Sequence, residues 1–231
     1  MFDGVRPWLA GERSLERLNA AAQSIALETE NGNPVRFVPP GANDAYYELK
    51  VYRTGEVQTR PDNLHDYFNA LAWLAFPRAK ARLNALHAAE IPREGSRRGR
   101  LRDLLTIFDE GGAIVQCDQA DLLSLLQAMQ WKELFWNQRE RLRREMRIVV
   151  FGHAVMEQAL KPWPGITCKA IVVPRSAQPD AAVQAWLGKL PPGASPRDLA
   201  PLPIFGFPGW LPQDEAFYGD TRYFRPLRPN G

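Results

Sequence analysis

The segment of residues 61–76 is apolar on nearly every face of a predicted helix, and this feature constrains the fold most. One stripe contains Leu64, Phe68, Leu71, Ala72 and Ala75, and most of the remaining surface is covered by Tyr67, Ala70, Trp73 and Leu74. A helix that is apolar all round has to be buried by other elements. We therefore expect it at the centre of the molecule, with Asp62 as its N-cap.

A second helix follows after a sharp corner. Phe76-Pro77 ends the first helix, and proline is tolerated in the first turn of the next one, over residues 77–89. Its Lys80, Asn84 and His87 form a polar line beside the core-facing side. His65 and Asn69 lie one turn apart on the first helix, so the two polar rows are predicted to face each other across a cleft or a seam.

The rest of the chain predicts a helix-rich α+β fold with a small mixed sheet. Helices are expected at residues 14–28, 101–108, 120–129, 132–144, 153–160 and 180–190, and strands at 46–53, 113–117, 147–151 and 167–173, with one more short strand between residues 31 and 43. The segment around Gly111-Gly112 also fits a hairpin, which remains an alternative to helix followed by strand.

The C-terminal part of the chain has an unusual composition. Its last 41 residues contain nine prolines, so no regular element can extend far. They also contain seven aromatic residues, Phe205, Phe207, Trp210, Phe217, Tyr218, Tyr223 and Phe224, too many for a disordered segment. We expect residues 1–231 to form a single domain, with a core at 14–190 and an ordered, irregular C-terminal strap at 191–231.

Charge and cysteine content limit the location and the partners. The 29 basic residues nearly balance the 26 acidic ones, which permits nucleic acid as a partner without indicating it. Cys117 and Cys168 show no metal-binding or redox spacing, and the N-terminus resembles no signal peptide. Since no apolar run approaches the roughly 20 residues that span a bilayer, we expect a cytoplasmic protein without membrane contact.

Several segments together resemble a known bacterial family. They are TRPDNLHDYFNALAWLAFPRAKARLNALH at residues 59–87, RDLLTIFDEGG at 102–112, WKELFW at 131–136, FGHAVMEQAL at 151–160, and FPGW and FYGDTRYFRP in the tail. The chain is similar in these segments to the family called domain of unknown function 3025. The resemblance covers nearly the whole chain and implies a small, single-domain bacterial protein. It implies no activity, cofactor or catalytic residue.

Chemically competent groups on the buried helices predict a polar site between them. Buried polar groups need partners, because an unpaired one costs roughly 1–3 kcal/mol. The candidates for catalysis are His65, Asp66, Lys80, His87 and Asp103, and the candidates for binding are Arg60, Asn69, Asn84, Arg102, Asp109 and Glu110. A divalent metal ion is one possible cofactor, with His65, Asp66, His153 and Glu157 as its ligands. The leading hypothesis is a metal-assisted hydrolase.

The main alternative is a protein that interacts with nucleic acid or another protein without catalysis. Its buried polar residues would then only fix the helix register, and the basic segments 93–102 and 139–147 would contact the partner. The second segment also contains Glu140 and Glu145, a pattern typical of a solvated helix. A His-metal nuclease matches the spacing poorly, and no GxSxG elbow or phosphate-binding loop motif occurs.

Overall fold

The structure is a computed structural model that describes residues 2–9, 11–41, 46–94, 98–211 and 213–227. The described helices are α1 (Arg6–Leu9), α2 (Leu15–Ser24), α3 (Tyr47–Thr54), α4 (Leu64–Ala75), α5 (Pro77–Glu90), α6 (Arg100–Gly111), α7 (Ala120–Gln127), α8 (Arg139–Glu145), α9 (His153–Gln158) and α10 (Pro179–Leu187). The described strands are β1 (Arg36–Val38), β2 (Glu56–Gln58), β3 (Gly112–Cys117), β4 (Met146–Val150), β5 (Cys168–Val173) and β6 (Ala200–Leu202). The helix-rich α+β prediction is confirmed.

A small mixed sheet supports one side of the helices. Its strand order is β4-β3-β5-β6, in which β3 runs antiparallel to β4 and parallel to β5. All six residues of β3 are buried, as expected for a central strand covered on both faces. Strands β1 and β2 form a separate parallel pair. Strand β3 follows α6 directly and pairs with β4, which precedes α9. This pairing places the turn between β4 and α9 next to the end of α6, and the candidate site lies there.

The two central helices meet at the predicted corner. Ala70, Leu71 and Ala72 of α4 are fully buried, which confirms that this helix lies inside the molecule. Its N-cap is Asn63, whose side chain accepts a hydrogen bond from the N–H of Asp66 at 2.9 Å. The predicted N-cap Asp62 instead occupies the preceding turn with φ +59°. Asparagine and aspartate both cap helices, so the sequence alone did not distinguish the two.

The segment predicted as a strand at 46–53 is a helix, α3. Gly55 ends this helix in the left-handed conformation, with φ +73°. A Cβ atom at Gly55 would lie 2.1 Å from the carbonyl oxygen of Pro34, so only glycine fits there. The alternation of apolar residues in the segment was misleading. In the structure one side of α3 packs against α5, and Val51 is the buried residue of this helix.

Other predicted elements agree with the structure in outline. The segment 101–117 is helix α6 followed directly by strand β3, which excludes the hairpin alternative. The helix predicted at 132–144 is divided into a π-helical turn, Glu133–Asn137, and helix α8. None of the described helices is long and apolar enough to cross a bilayer.

The described part of the C-terminal strap, residues 191–211 and 213–227, packs against the body. Tyr218, Tyr223 and Phe224 are buried, and the Tyr223 hydroxyl donates to the carbonyl oxygen of Ile166 at 2.7 Å. The Trp131 indole donates to the carbonyl oxygen of Arg225 at 2.7 Å. Short 3-10 turns such as Phe217–Gly219 replace longer helices, as the proline content predicted.

Candidate functional site

A polar cleft of about 350 Å³ opens between α3, α4, α6 and α9. Ten of the residues that line it have acidic, basic or imidazole side chains: Glu48, Arg60, His65, Asp66, His87, Arg98, Arg102, Asp109, Glu110 and His153; Tyr47, Gln58, Asn69 and Thr106 complete the lining. Its volume is in the range of small-molecule sites. A groove between α2 and β1 is larger, at about 570 Å³, but no histidine lines it.

Two histidines from distant parts of the chain meet at one end of the cleft. The Nε2 atoms of His65 on α4 and His153 on α9 are 3.1 Å apart, and the two ring planes meet at 69°. The outer nitrogen of each ring faces a carboxylate. Nδ1 of His65 is 3.2 Å from Glu157, and Nδ1 of His153 is 3.8 Å from Asp109. We call His65 and His153 the imidazole pair.

Hydrogen-bond polarity limits where the protons of the imidazole pair lie. A carboxylate only accepts, so Nδ1 of His65, 3.2 Å from Glu157, is best satisfied when it carries a proton. Nδ1 of His153 is buried and makes no hydrogen bond among the described residues, because 3.8 Å to Asp109 is too long for one. The Nε2–Nε2 contact of 3.1 Å is a hydrogen bond when one of the two Nε2 atoms is protonated. The imidazole pair can therefore hold one proton between its Nε2 atoms.

The two members of the imidazole pair differ in exposure. The side chain of His65 is 41% exposed, whereas that of His153 is only 6% exposed. Burial lowers the pKa of His153 to about 4, against the opposing effect of the Asp109 carboxylate. His153 is thus neutral near pH 7. His65 is the member of the pair that solvent and ligands can reach.

The position of His153 depends on a close backbone contact. Gly152 precedes it, and the N–H of Gly152 donates to the carbonyl oxygen of Gly112 at 2.9 Å. A Cβ atom at Gly152 would lie 2.4 Å from the carbonyl oxygen of Glu110. The turn between β4 and α9 therefore packs directly on the end of α6. This contact brings His153 next to Asp109.

Behind the imidazole pair lies a buried polar network. Lys80 is 3% exposed, and its ammonium group contacts Asp109 Oδ1 at 2.5 Å and Asn69 Oδ1 at 2.8 Å. The amide of Asn69 donates to the Tyr47 hydroxyl at 3.2 Å. Burial opposes ionisation of Asp109, but Lys80 and His153 outweigh it, so the pKa of this carboxyl is lowered. Lys80 and Asp109 form a buried ion pair that joins α5 to α6.

A second buried contact joins α5 to α3. The amide of Asn84 donates to Glu48 twice, at 2.9 Å to its backbone oxygen and at 2.6 Å to its carboxyl group. Burial raises the pKa of Glu48, and the nearby Asp109 carboxylate adds to the effect. Asn84 and Lys80 do not line the cleft. Both hold helices together behind it, and neither is placed to contact a ligand directly.

The opposite end of the cleft is basic. Arg102, near the start of α6, donates to Glu94 at 2.9 Å and, through Nε, to His87 Nδ1 at 3.4 Å. Arg98 is exposed and donates to the neutral hydroxyl of Thr106 at 3.2 Å. Away from this end, Arg60 forms a two-point contact with Asp66, the residue after His65, at 2.8 and 2.9 Å. Burial opposes ionisation of Asp66, but the contact with Arg60 outweighs it and lowers the pKa of this carboxyl.

The predicted metal ligands do not all converge. Asp66 is held by Arg60, and Glu157 faces the outer nitrogen of His65 rather than the inner one. Over the described ranges, no group of three or more histidine, cysteine, aspartate or glutamate side chains is arranged to hold a metal ion. Asp103, predicted as catalytic, does not line the cleft, because it lies about 100° round α6 from Arg102.

Sequence reasoning missed several residues of the cleft. Tyr47 and Glu48 were overlooked because their segment was predicted as a strand. Gly55, directly after that segment, is the signal that could have indicated a helix end. Arg98 was grouped only with a basic loop. Its place in the cleft follows from the path of the chain into α6, which no local pattern encodes.

Comparison with known proteins supplies a family but no activity. Searches of curated proteins and of solved structures give no significant match. The family model described as protein of unknown function (DUF3025) matches residues 35–228, which include every residue of the cleft. Because this match covers most of the chain, it shows that the chain belongs to the DUF3025 family.

Proposed function

We propose that this protein is a hydrolase for a small polar substrate and that the imidazole pair is its acid–base group. The observation that carries the proposal is the 3.1 Å contact between His65 and His153 at the end of an open cleft, with a carboxylate beside each outer nitrogen. General bases in enzymes are commonly histidines oriented by a neighbouring carboxylate.

The proposed step moves one proton from water to the imidazole pair. When each ring is protonated only on Nδ1, both Nε2 lone pairs point toward the same place. A water molecule bound there loses a proton to the pair, and its oxygen attacks the substrate. The proton then lies between the Nε2 atoms and passes to the leaving group as the bond to it breaks. Glu157 and Asp109 orient the rings.

The hypothesis of a metal-assisted hydrolase has less structural support than acid–base catalysis by the imidazole pair alone. Only the two Nε2 atoms remain as candidate ligands, and structural or catalytic zinc sites usually use at least three protein ligands. Their 3.1 Å separation would suit two ligands of one metal ion as well as a hydrogen bond. Metal content therefore has to be measured alongside activity.

The competing function is a non-enzymatic interaction module, with nucleic acid or another protein as partner. The observation that favours it is the network in which the buried Lys80 ammonium contacts Asn69 and Asp109, since this network fixes helix packing whether or not a ligand binds. Variants of the imidazole pair and of the network behind it separate the two hypotheses.

A cytoplasmic location remains part of the proposal. It is supported by two buried cysteines that form no disulfide.

The test compares His65→Gln with Lys80→Met. We expect wild-type protein to hydrolyse at least one of p-nitrophenyl acetate, p-nitrophenyl phosphate and bis(p-nitrophenyl) phosphate. His65→Gln should lower kcat at least about 100-fold and change stability by less than about 1 kcal/mol, because the side chain is 41% exposed. Lys80→Met should instead cost about 3–5 kcal/mol in stability, because it leaves Asp109 without its partner. Lys132→Gln, far from the cleft, is the control.

Two results would contradict the proposal. One result is a tightly bound metal ion in each chain, together with turnover that a chelator abolishes. It would mean that a metal centre, and not the imidazole pair, is the catalytic group. Turnover that is absent from all three substrates, together with NMR spectra that show no proton shared between His65 and His153, would leave the interaction module as the better explanation.

A further inference from the structure

The cleft has two ends of different chemistry. Helix α6 lines it along one face, on which Arg102, Thr106 and Glu110 follow each other at intervals of four residues. Arg98 and Arg102 lie at one end. Asp109 and Glu110 lie at the other, beside the imidazole pair. With a rise of about 1.5 Å per residue, the two ends are about 10 Å apart along the helix.

The basic end retains hydrogen-bond donors that the protein does not use. Within the described part of the chain, the Arg98 guanidinium contacts a neutral hydroxyl rather than a carboxylate. Arg102 uses Nη1 and Nε for Glu94 and His87, which leaves Nη2 without an acceptor among the same residues.

His87 adds a third donor at this end. It is 3% exposed, and burial lowers its pKa to about 4, so the ring is neutral near pH 7. Its Nδ1 accepts from Arg102 at 3.4 Å, which places the ring proton on Nε2. Among the described residues this N–H has no acceptor, although the ring lines the cleft. This N–H is not one of the buried atoms left without a partner, so water or a ligand oxygen in the cleft can accept from it.

The geometry points to an oxyanion subsite formed by Arg98, Arg102 and His87, which binds a carboxylate or phosphoryl group of the substrate. Guanidinium groups donate two parallel hydrogen bonds to such oxyanions. The inference rests on the proposed function, which places the reacting bond of the substrate near the imidazole pair. That bond would lie about 10 Å from the oxyanion subsite. Glu110 lies at that end and repels an anion, whereas the charge of Asp109 is already paired with Lys80. The substrate is therefore favoured in one orientation.

The experiment measures binding of inorganic phosphate and of acetate, each at constant ionic strength, by NMR titration of the arginine side-chain N–H signals. We expect saturable binding of at least one anion, which shows whether the group is phosphoryl or carboxylate. Arg98→Gln should weaken that binding about tenfold, the loss expected for one charge-assisted hydrogen bond. Arg100→Gln, an exposed residue of α6 outside the cleft, should leave it unchanged.

His65→Gln separates this inference from the proposed function. Anion binding should be the same in this variant as in the wild-type protein, because His65 lies at the other end of the cleft. If no turnover is found but the anion binds and Arg98→Gln weakens it, the subsite stands and the hydrolase does not. The subsite is overturned if neither anion binds saturably, or if Arg98→Gln binds as tightly as the wild-type protein.

Discussion

His87 and His153 are kept neutral by the protein interior. Burial is the largest cause of the lowered pKa in both, and Asp109 opposes it without reversing it. For His87, Arg102 and Lys80 lower the pKa further. Such a group binds a proton more readily in the unfolded chain than in the folded one. Its contribution to stability is therefore complete above the ordinary pKa of 6.5 and is lost as the pH falls toward 4.

A pH-dependent loss of stability follows from His87. Between about pH 6.5 and about pH 5, the free energy of unfolding should fall by up to about 1.4 kcal/mol per pH unit because of this residue. His87→Asn should make the decline shallower by a similar amount. Urea denaturation across this range measures the slope, with Lys132→Gln as a control that should match the wild-type protein. Equal slopes for His87→Asn and wild type would show that His87 is not held neutral by burial.

At the scale of elements, the corner between α4 and α5 depends on a residue far away in the sequence. The N-cap position of α5 is Phe76, which offers no capping side chain. Asp180, on α10, supplies the missing acceptor instead. Its carboxylate accepts from the N–H of Arg78 at 3.2 Å and of Ala79 at 2.8 Å. Helix α10 thus holds the start of the helix that carries Lys80.

Removing this distant cap should destabilise the fold. Asp180→Ala leaves the free N–H groups of α5 without an acceptor, and we expect a loss of about 1–2 kcal/mol. Chemical denaturation checks the value. Gln178→Ala is a matched control, since Gln178 lies two residues away and makes no side-chain capping bond; its effect should stay within about 0.5 kcal/mol. A loss no larger for Asp180→Ala than for Gln178→Ala would contradict the capping role.

The helices that line the cleft were predictable to different degrees. Helix α4 was clear, because its apolar residues cover nearly every face. Helix α6 was favoured over a hairpin by its apolar stripe at Leu101, Leu104, Leu105 and Phe108. Helix α3 was not predictable in this way. It has only eight residues and one buried position, which is too few to distinguish a helical from a strand periodicity. Its residues Tyr47 and Glu48 were lost from the predicted site for that reason.

For the whole molecule, we propose that residues 1–231 form one domain. The supporting observation is that buried residues from Val5 to Phe224 belong to one hydrophobic cluster. The C-terminal strap takes part in it through Tyr223, whose hydroxyl donates to Ile166 and accepts from the N–H of Phe205 at 3.0 Å. One phenol oxygen therefore joins the strap to the segment before β5.

Loss of this hydroxyl should weaken the whole fold. Tyr223→Phe leaves a buried N–H and a buried carbonyl without this partner, so we expect a loss of about 1–3 kcal/mol. Denaturation should remain a single transition when followed by both tryptophan fluorescence and circular dichroism, as for one domain. Tyr46→Phe, at a position 62% exposed, is the control and should change little. Two separate transitions would argue against a single domain.

The sequence by itself determined the buried central helix, the corner at Pro77, the β3 and β5 strands and the aromatic strap. These depend on local periodicity, on proline geometry and on the amount of apolar surface, all of which are encoded by neighbouring residues. The tertiary structure decided which polar groups meet. His65 and His153 lie 88 residues apart, and Asp180 caps a helix 101 residues before it. Such contacts depend on how the helices cross and on where Gly152 lets two backbones approach, and no local pattern carries that information.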